Sequence, residues 1–293
     1  MTLPKDRVPY SAIVDRPALR LPDGARMVVW TIVNVEEWSI ERAMPRTVLS
    51  PPMGQPLLPD LPNWAWHEYG MRVGFWRLLE CLQRRDVAVT LAINGAVCES
   101  YPRIAGAARE AGWEFMGHGF LQGPMHKLED QPAAIARTVE AIRKFTGKPP
   151  RGWESPGLTE TYETIDHLAA AGIEYVADWV LDDQPVEIAT ASGPVLSIPY
   201  TVETNDITMM ALQQHSAAEL LRRGLDQFER LYQESERITR VMAISLHPYI
   251  SGVPHRIGYL EQLYDAIAAK PGVLLWTGEE ILDWYRGQRP AAG

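Results

Sequence analysis

From Arg26 onward the chain alternates short, continuous apolar runs with longer stretches in which apolar residues recur at helical spacing. The runs "RMVVWTIVN", "VAVTLAIN", "WEFMGHG", "RGWES", "IEYVAD", "VLSIPY", "RVMAISLHP" and "GVLLWT" predict strands. The stretches "EYGMRVGFWRLLECLQRRD", "AAIARTVEAIRKFTG", "TETYETIDHLAAAG" and "SAAELLRRGLDQFERLYQES" predict helices, the second and third closed by Gly147 and Gly172. Strands fed by crossover helices give an α/β fold with a parallel sheet, either open or closed into a barrel. No composition break or fixed-period repeat divides the chain, so a single domain is expected over residues 26–293 after an N-terminal arm of residues 1–25. The one interval without a period is the proline-rich loop 42–63, "RAMPRTVLSPPMGQPLLPDLPN", long enough to suggest a functional loop or an oligomer contact, with a plain surface excursion as the equal alternative.

Composition narrows this little. The 293 residues are 46% hydrophobic and 22% charged, ordinary for a globular protein. A net charge of -9 argues against nucleic acid or an anionic membrane as main partner and leaves a small molecule as the expected one. Cys81 and Cys98 do not form a secreted disulfide framework and are read as reduced. The N-terminus has no apolar core of signal length and no window reaches a membrane span, so the cytoplasm is the expected location.

In parallel α/β folds the chemistry sits at the carboxyl ends of strands. Unusual polar residues gather at the predicted ends here: Asn34 with Glu36 and Glu37, His118, the segment from Arg151 to Gly157, Asp178 with Asp182 and Asp183 beyond it, and His247. Each alone has a plainer account as a solvated turn, a helix cap or a structural histidine. Together, at successive strand ends, they point to one site. Trp38, Trp66, Trp153 and Trp179 each lie near one of these segments and would suit a small-molecule pocket wall, although the core is an equally ordinary place for them.

The ordered segments "NVEE", "GHG", "RGWESPG", "DW..DD" and "SLHP" resemble the polysaccharide deacetylase (NodB-homology) superfamily. "WHEYGMRVGFWRL", "DWVLDDQPV", "SIPYTVETND" and "LHPYISGVPHR" are most similar to its allantoinase and cyclic imide hydrolase branch. The resemblance implies a distorted (β/α) barrel of about seven strands, a hydrolase of carbon–nitrogen amide bonds, and a homo-oligomer, commonly a tetramer. It implies Glu36 as general base, Glu37 as metal ligand, His118 as a second ligand, Arg151 as the orienter of an acid, Trp153 as a pocket wall, and His247 as general acid backed by Asp178 or Asp183. Glu154 is an extra acid in the third motif. The pattern breaks at Gln122, which stands four residues after His118 where the family has a second histidine; His126 would have to supply the missing ligand. Gln122 is therefore grouped with Trp38, Trp66, Trp153, Glu154 and Trp179 as substrate-binding. A glutamine carbonyl is a poor zinc ligand, so the site is read either as metal-free or as holding one divalent cation such as zinc. Glu36 would work as a base provided that burial or Glu37 raises its pKa. The expected activity is hydrolysis of a small cyclic imide, ureide or related amide. The alternatives are a metal-dependent deacetylase of N-acetylated sugars or peptidoglycan, and an inactive small-molecule-binding barrel.

Overall fold

The structure is a computed structural model that describes residues 2–288. Nine strands form one sheet: β1 (Met27–Val35), β2 (Val89–Ile93), β3 (Glu114–Gly117), β4 (Gly152–Trp153), β5 (Tyr175–Val176), β6 (Val186–Ile188), β7 (Val195–Ser197), β8 (Arg240–Leu246) and β9 (Val273–Leu275). They run in the order β6-β7-β5-β4-β3-β2-β1-β8, with β9 also paired to β1. Every pairing is parallel except β6 with β7. The far edge curls back on β8: Asn205 bridges Ser245, and Val241 N–H donates to the Asp183 carbonyl. This is the expected distorted barrel. All eight predicted runs contain a strand, and β6 is the addition.

β1 is the spine because both of its faces are buried. Val28, Trp30 and Ile32 pack into one cluster with Tyr175, Ile198 and Tyr200, while Met27, Val29, Val33 and Val35 pack into another with Phe75, Leu82 and Phe228. The period of two thus sends alternate side chains to two apolar layers, which is why the segment reads as an unbroken apolar run.

Of the predicted helices, Gln131–Thr146 starts on an Asp130 side chain that accepts from Ala133 N–H at 2.9 Å and ends on Gly147 at φ 88°, as its pattern suggests. Thr164–Ala170 is shorter than its pattern, and Ala217–Glu234 matches well. The long stretch around Arg72 divides into Leu61–Tyr69, a π-helical turn over Gly70–Gly74, and Phe75–Gln83. Packing explains both glycines: a Cβ on Gly70 would lie 2.6 Å from Tyr249 N, and one on Gly74 would lie 2.1 Å from the Pro248 carbonyl oxygen. These two glycines let the helix lie directly on the backbone of the loop after β8, fixing His247 and Tyr249. Helices Pro102–Glu110, Pro254–Ala268 and Gly278–Gly287 complete the outer layer. No helix among the described residues is long and apolar enough to cross a membrane. Cys81 and Cys98 are free and buried, and burial pushes both thiols up to about 11.

Candidate active site

Three side chains from the carboxyl ends of three strands meet at one carboxylate oxygen. Glu36 follows β1, His118 follows β3 and His247 follows β8. The Nε2 atoms of His118 and His247 lie 3.9 and 3.7 Å from Glu36 Oε1. All three residues are buried, none more than 6% exposed. Each imidazole is fixed from behind. His118 Nδ1 donates to the Glu154 carbonyl at 2.7 Å, so its Nε2 faces the carboxylate and has no hydrogen-bond partner. His247 Nδ1 donates to Asp206 Oδ1 at 2.7 Å; the other Asp206 oxygen accepts from His247 N–H at 2.7 Å and Ser251 Oγ at 2.6 Å.

Glu36 also takes three neutral donors: Trp38 Nε1 at 2.6 Å and Tyr249 OH at 3.2 Å on Oε2, and Gln122 Nε2 at 2.9 Å on Oε1. Burial pushes the Glu36 carboxyl up, but His118 first, then the charges of His247 and His67, outweigh it and hold the group at about 2. The condition set for Glu36 as a base is therefore not met: the carboxyl is held ionised and is weakly basic. Burial pulls His118 down, yet Glu36 and then Glu154 turn its net shift upward.

An aromatic wall surrounds the carboxylate. Trp38 stacks on His67 (centroids 4.4 Å apart, planes at 17°) and meets Trp66 and Tyr249 edge-on at 6.3 and 5.2 Å. His67 is 1% exposed with neither ring nitrogen hydrogen-bonded, and burial lowers its pKa to about 4. Below lies a polar floor: Tyr200 OH donates to Glu154 Oε1 at 3.0 Å and lies 2.7 Å from Ser245 Oγ, which in turn lies 2.9 Å from the Asn34 amide. Burial raises the Glu154 carboxyl.

Several sequence-based assignments need correction. Neither Asp178 nor Asp183 backs His247. Asp178 accepts from Ser155 N–H and Oγ at 2.5 and 2.9 Å, and burial together with Glu160 pushes its carboxyl well up. Asp183 is an exposed residue 3.8 Å from Arg240. The orienting acid is Asp206, which sequence reasoning missed because it reaches β8 from a loop whose return to the sheet edge leaves no periodic mark. Arg151 precedes β4, so it stands at the opposite end of the barrel, paired with Glu174 (2.6 Å) and Asp283 (2.8 Å). Glu37 turns away from its neighbour, as alternation along an extended chain requires. Its carboxylate accepts from Ser100 Oγ, and it lines a separate cavity of about 610 Å³ with Trp38, Trp64, Tyr101 and Phe120. His126 is exposed in a 3₁₀ turn and does not complete a ligand set. Trp153 is fully buried beside Gly117, in a cluster with Ile165 and Leu168, and Trp179 bonds Glu160 next to the N-terminal segment. Gln122, Trp38, Trp66 and Glu154 do lie around the histidines. Missed as well were His67, Tyr249 and Asn94, whose side chain accepts from Glu37 N–H at 2.8 Å and donates to Gln122 Oε1 at 3.2 Å.

The residues present do not fit the divalent cation that the resemblance allows. Gln122 spends its amide on Glu36 and Asn94, Glu37 and His126 point elsewhere, and among the described residues no group of three or more His, Cys, Asp or Glu side chains is placed to hold a metal ion.

Residues 66–176 match the family model for polysaccharide deacetylase. A Schizosaccharomyces pombe protein described as a polysaccharide deacetylase is 29% identical over 242 residues, 76% of each chain. A peptidoglycan deacetylase of Helicobacter pylori is 23% identical over 252 residues, 74% of this chain and 85% of that one. Among solved structures, Puue allantoinase superposes over 100% of both chains with a TM-score of 0.88 at 23% identity, a likeness of fold.

Proposed function

We propose that this chain, which carries a polysaccharide deacetylase-type domain and with it the family's hydrolysis of carbon–nitrogen bonds other than peptide bonds, acts on a small cyclic imide, ureide or related amide. The observation that supports this reading is the convergence of two separately oriented imidazoles on Glu36, with a glutamine in place of a further metal ligand.

Amide hydrolysis needs an activated water, a donor for the oxyanion and a proton for the leaving nitrogen. Asp206 accepts the Nδ1 proton of His247, which leaves Nε2 as the ring atom that faces the site. His247 takes the proton of the attacking water at Nε2 and returns it to the departing nitrogen, while Asp206 stabilises the imidazolium between the two steps. Glu36, held ionised, orients the water and offsets the charge on both rings. His118, raised by its acidic neighbours, presents an Nε2–H to the developing oxyanion in a site that excludes water, where such a donor is strongest. Strained or doubly activated carbonyls suit these groups better than an acetamido sugar does, because they need less electrophilic help.

The test is turnover of dihydrouracil, hydantoin, succinimide and allantoin alongside chitin and peptidoglycan fragments, before and after exhaustive chelation. Turnover of a cyclic compound that survives chelation is the expected result. Deacetylation of the fragments alone, abolished by chelator, would replace this reading with the metal-dependent one, and no turnover of any compound would favour a binding protein.

A further inference from the structure

The helix Leu61–Tyr69 buries two polar side chains four residues apart, on one face, and their surroundings differ. The Asn63 amide is fully used. Its Oδ1 accepts from Val48 N–H and Leu49 N–H at 2.8 and 3.0 Å, and its Nδ2 donates to the Leu49 carbonyl at 3.0 Å and to Asp60 Oδ2 at 2.8 Å. His67 has neither ring nitrogen hydrogen-bonded. Glu68 Oε1 lies 3.9 Å from its Nδ1, too far for a hydrogen bond, and that oxygen accepts from Tyr101 OH instead. A buried polar group without a partner costs stability, and native proteins seldom keep one without a use for it. A phenylalanine would stack on Trp38 without that cost, so the stack alone does not explain the histidine.

The ring stands at the site. Its centroid is 4.4 Å from that of Trp38 and 5.4 Å from that of Tyr249, the two aromatic residues that donate to Glu36 at 2.6 and 3.2 Å. The close contact of Gly70 with Tyr249, three residues further along the chain, fixes the helix and with it the depth of His67. His67 is 1% exposed, against 3% for Glu36, 1% for His118 and 6% for His247, so a ligand that reaches those three groups reaches its depth. Trp38 N–H, Tyr249 O–H and the Gln122 amide donate to Glu36, whereas His67 has both nitrogens to spare. Burial outweighs the pull of Glu36 and keeps the ring neutral, with one N–H and one lone pair. His118 and His247 each have Nδ1 tied from behind; His67 has no such tie, and its tautomer is free to suit what it meets.

We propose that His67 is a third histidine of the site, a substrate-binding residue whose imidazole hydrogen-bonds the N–H or carbonyl edge of a small cyclic amide away from the carbonyl that is attacked. This rests on the function proposed above and deepens it: the substrate carries a second polar edge on its ring, as cyclic imides and ureides do. Binding then relieves the unpartnered nitrogen, and a ligand without that edge forgoes the relief.

The test uses succinimide, hydantoin and dihydrouracil on the full chain and on four variants, with kinetics, calorimetric Kd and urea unfolding measured for each. His67→Phe keeps the stack and removes both nitrogens. Its urea midpoint should be no lower than that of wild type, while kcat/KM falls about 10-fold or more, chiefly through KM. His67→Asn and His67→Gln place an amide near the positions of Nδ1 and Nε2; the one whose amide reaches the substrate should recover part of the loss, although it stacks less well. A merely structural role gives the reverse order, with the aromatic variant the most active. That order, or wild-type kcat/KM in His67→Phe, would overturn the assignment. If His67→Phe does not fold, the comparison passes to His67→Ala, which one of the amide variants should exceed by about 10-fold; equal losses in all three would overturn the proposal. The Kd values separate it from the function itself. If wild type binds these rings and turns over none, the hydrolase reading fails, while a Kd weakened about 10-fold in His67→Phe and partly regained in an amide variant still supports His67. Binding of none of the rings to wild type would overturn both.

Discussion

Two buried glutamates at opposite ends of the barrel have nearly the same surroundings and opposite chemistry. Glu36, beyond the end of β1, is 3% exposed; Glu114, the first residue of β3, is 6% exposed. Both accept neutral donors. Glu36 has the indole of Trp38, the hydroxyl of Tyr249 and the amide of Gln122. Glu114 has the hydroxyls of Tyr175 and Thr90 (2.7 Å) and the backbone N–H of Glu279 at 3.2 Å. Yet burial raises Glu114 to about 7, whereas Glu36 is held at about 2. The difference is charge, since only Glu36 has imidazoles at 3.7 and 3.9 Å. Neutral hydrogen bonds moderate the cost of burying a carboxylate; a cationic neighbour reverses it. One end of the barrel is thus built to hold a protonated acid quietly, and the other to keep a charge among groups that can move protons.

The largest expected effects come from breaking the rim. His247→Ala should lower kcat/KM by about 10²- to 10⁴-fold, the usual contribution of a positioned proton-transfer group. Asp206→Asn should cost a similar factor, since the asparagine would favour the wrong tautomer of His247 while leaving its position intact. Glu36→Gln should lower kcat with far-ultraviolet circular dichroism unchanged. Near-normal rates in Asp206→Asn would break the link drawn here between orientation and catalysis. His247→Ala also sharpens the comparison, because removing one of the two imidazoles beside Glu36 should shift its carboxyl upward, toward the behaviour of Glu114.

A smaller effect appears in stability against pH. An unfolded glutamate ionises near its ordinary value of 4.5. Glu114, raised in the native state, keeps its proton there after the unfolded chain has released it, so stability falls as pH rises from about 4.5 to about 7 and then levels off. Glu36, depressed in the native state, contributes stability that is fully present above about 4.5 and is lost as pH falls toward about 2. Urea titrations across this range should therefore show Glu114→Gln removing the decline between pH 4.5 and 7, and Glu36→Gln flattening the acid limb. An unchanged slope in Glu114→Gln would mean that its carboxyl is not protonated in the native protein.

What the sequence made legible follows the range of the interactions. β1 and β8 announce themselves through unbroken apolar runs, and Gly147 through its place after a periodic stretch; these are local signals. β6 did not, because three residues, two of them half-buried, carry too little pattern. At the site, Glu36, His118, Gln122 and His247 were found because strand ends converge on one rim by topology. Asp206 was not, because its pairing with His247 spans 41 residues and depends on how a loop meets the sheet edge. Arg151 was misplaced for a geometric reason: β4 has only two residues, so a displacement of two positions carries a side chain from one end of the strand to the other.

That displacement yields the smallest expected effect. Arg151 ties Glu174 to Asp283, and Glu174 also pairs with Arg286. The Arg151 side chain is 27% exposed and Asp283 is 63% exposed, so solvent screens much of the network. Arg151→Ala should cost about 1 kcal/mol of stability, near the upper end for surface ion pairs, and change kcat/KM by no more than about twofold, because the residue lies at the far end of the barrel from Glu36 and His247. Measured by urea unfolding and steady-state kinetics in parallel, it is the reciprocal of His247→Ala, which should lower turnover severely with modest loss of stability. A loss of activity in Arg151→Ala larger than its loss of stability explains would show that the two ends of the barrel are coupled, and the separation between a quiet end and a chemical end would have to be given up.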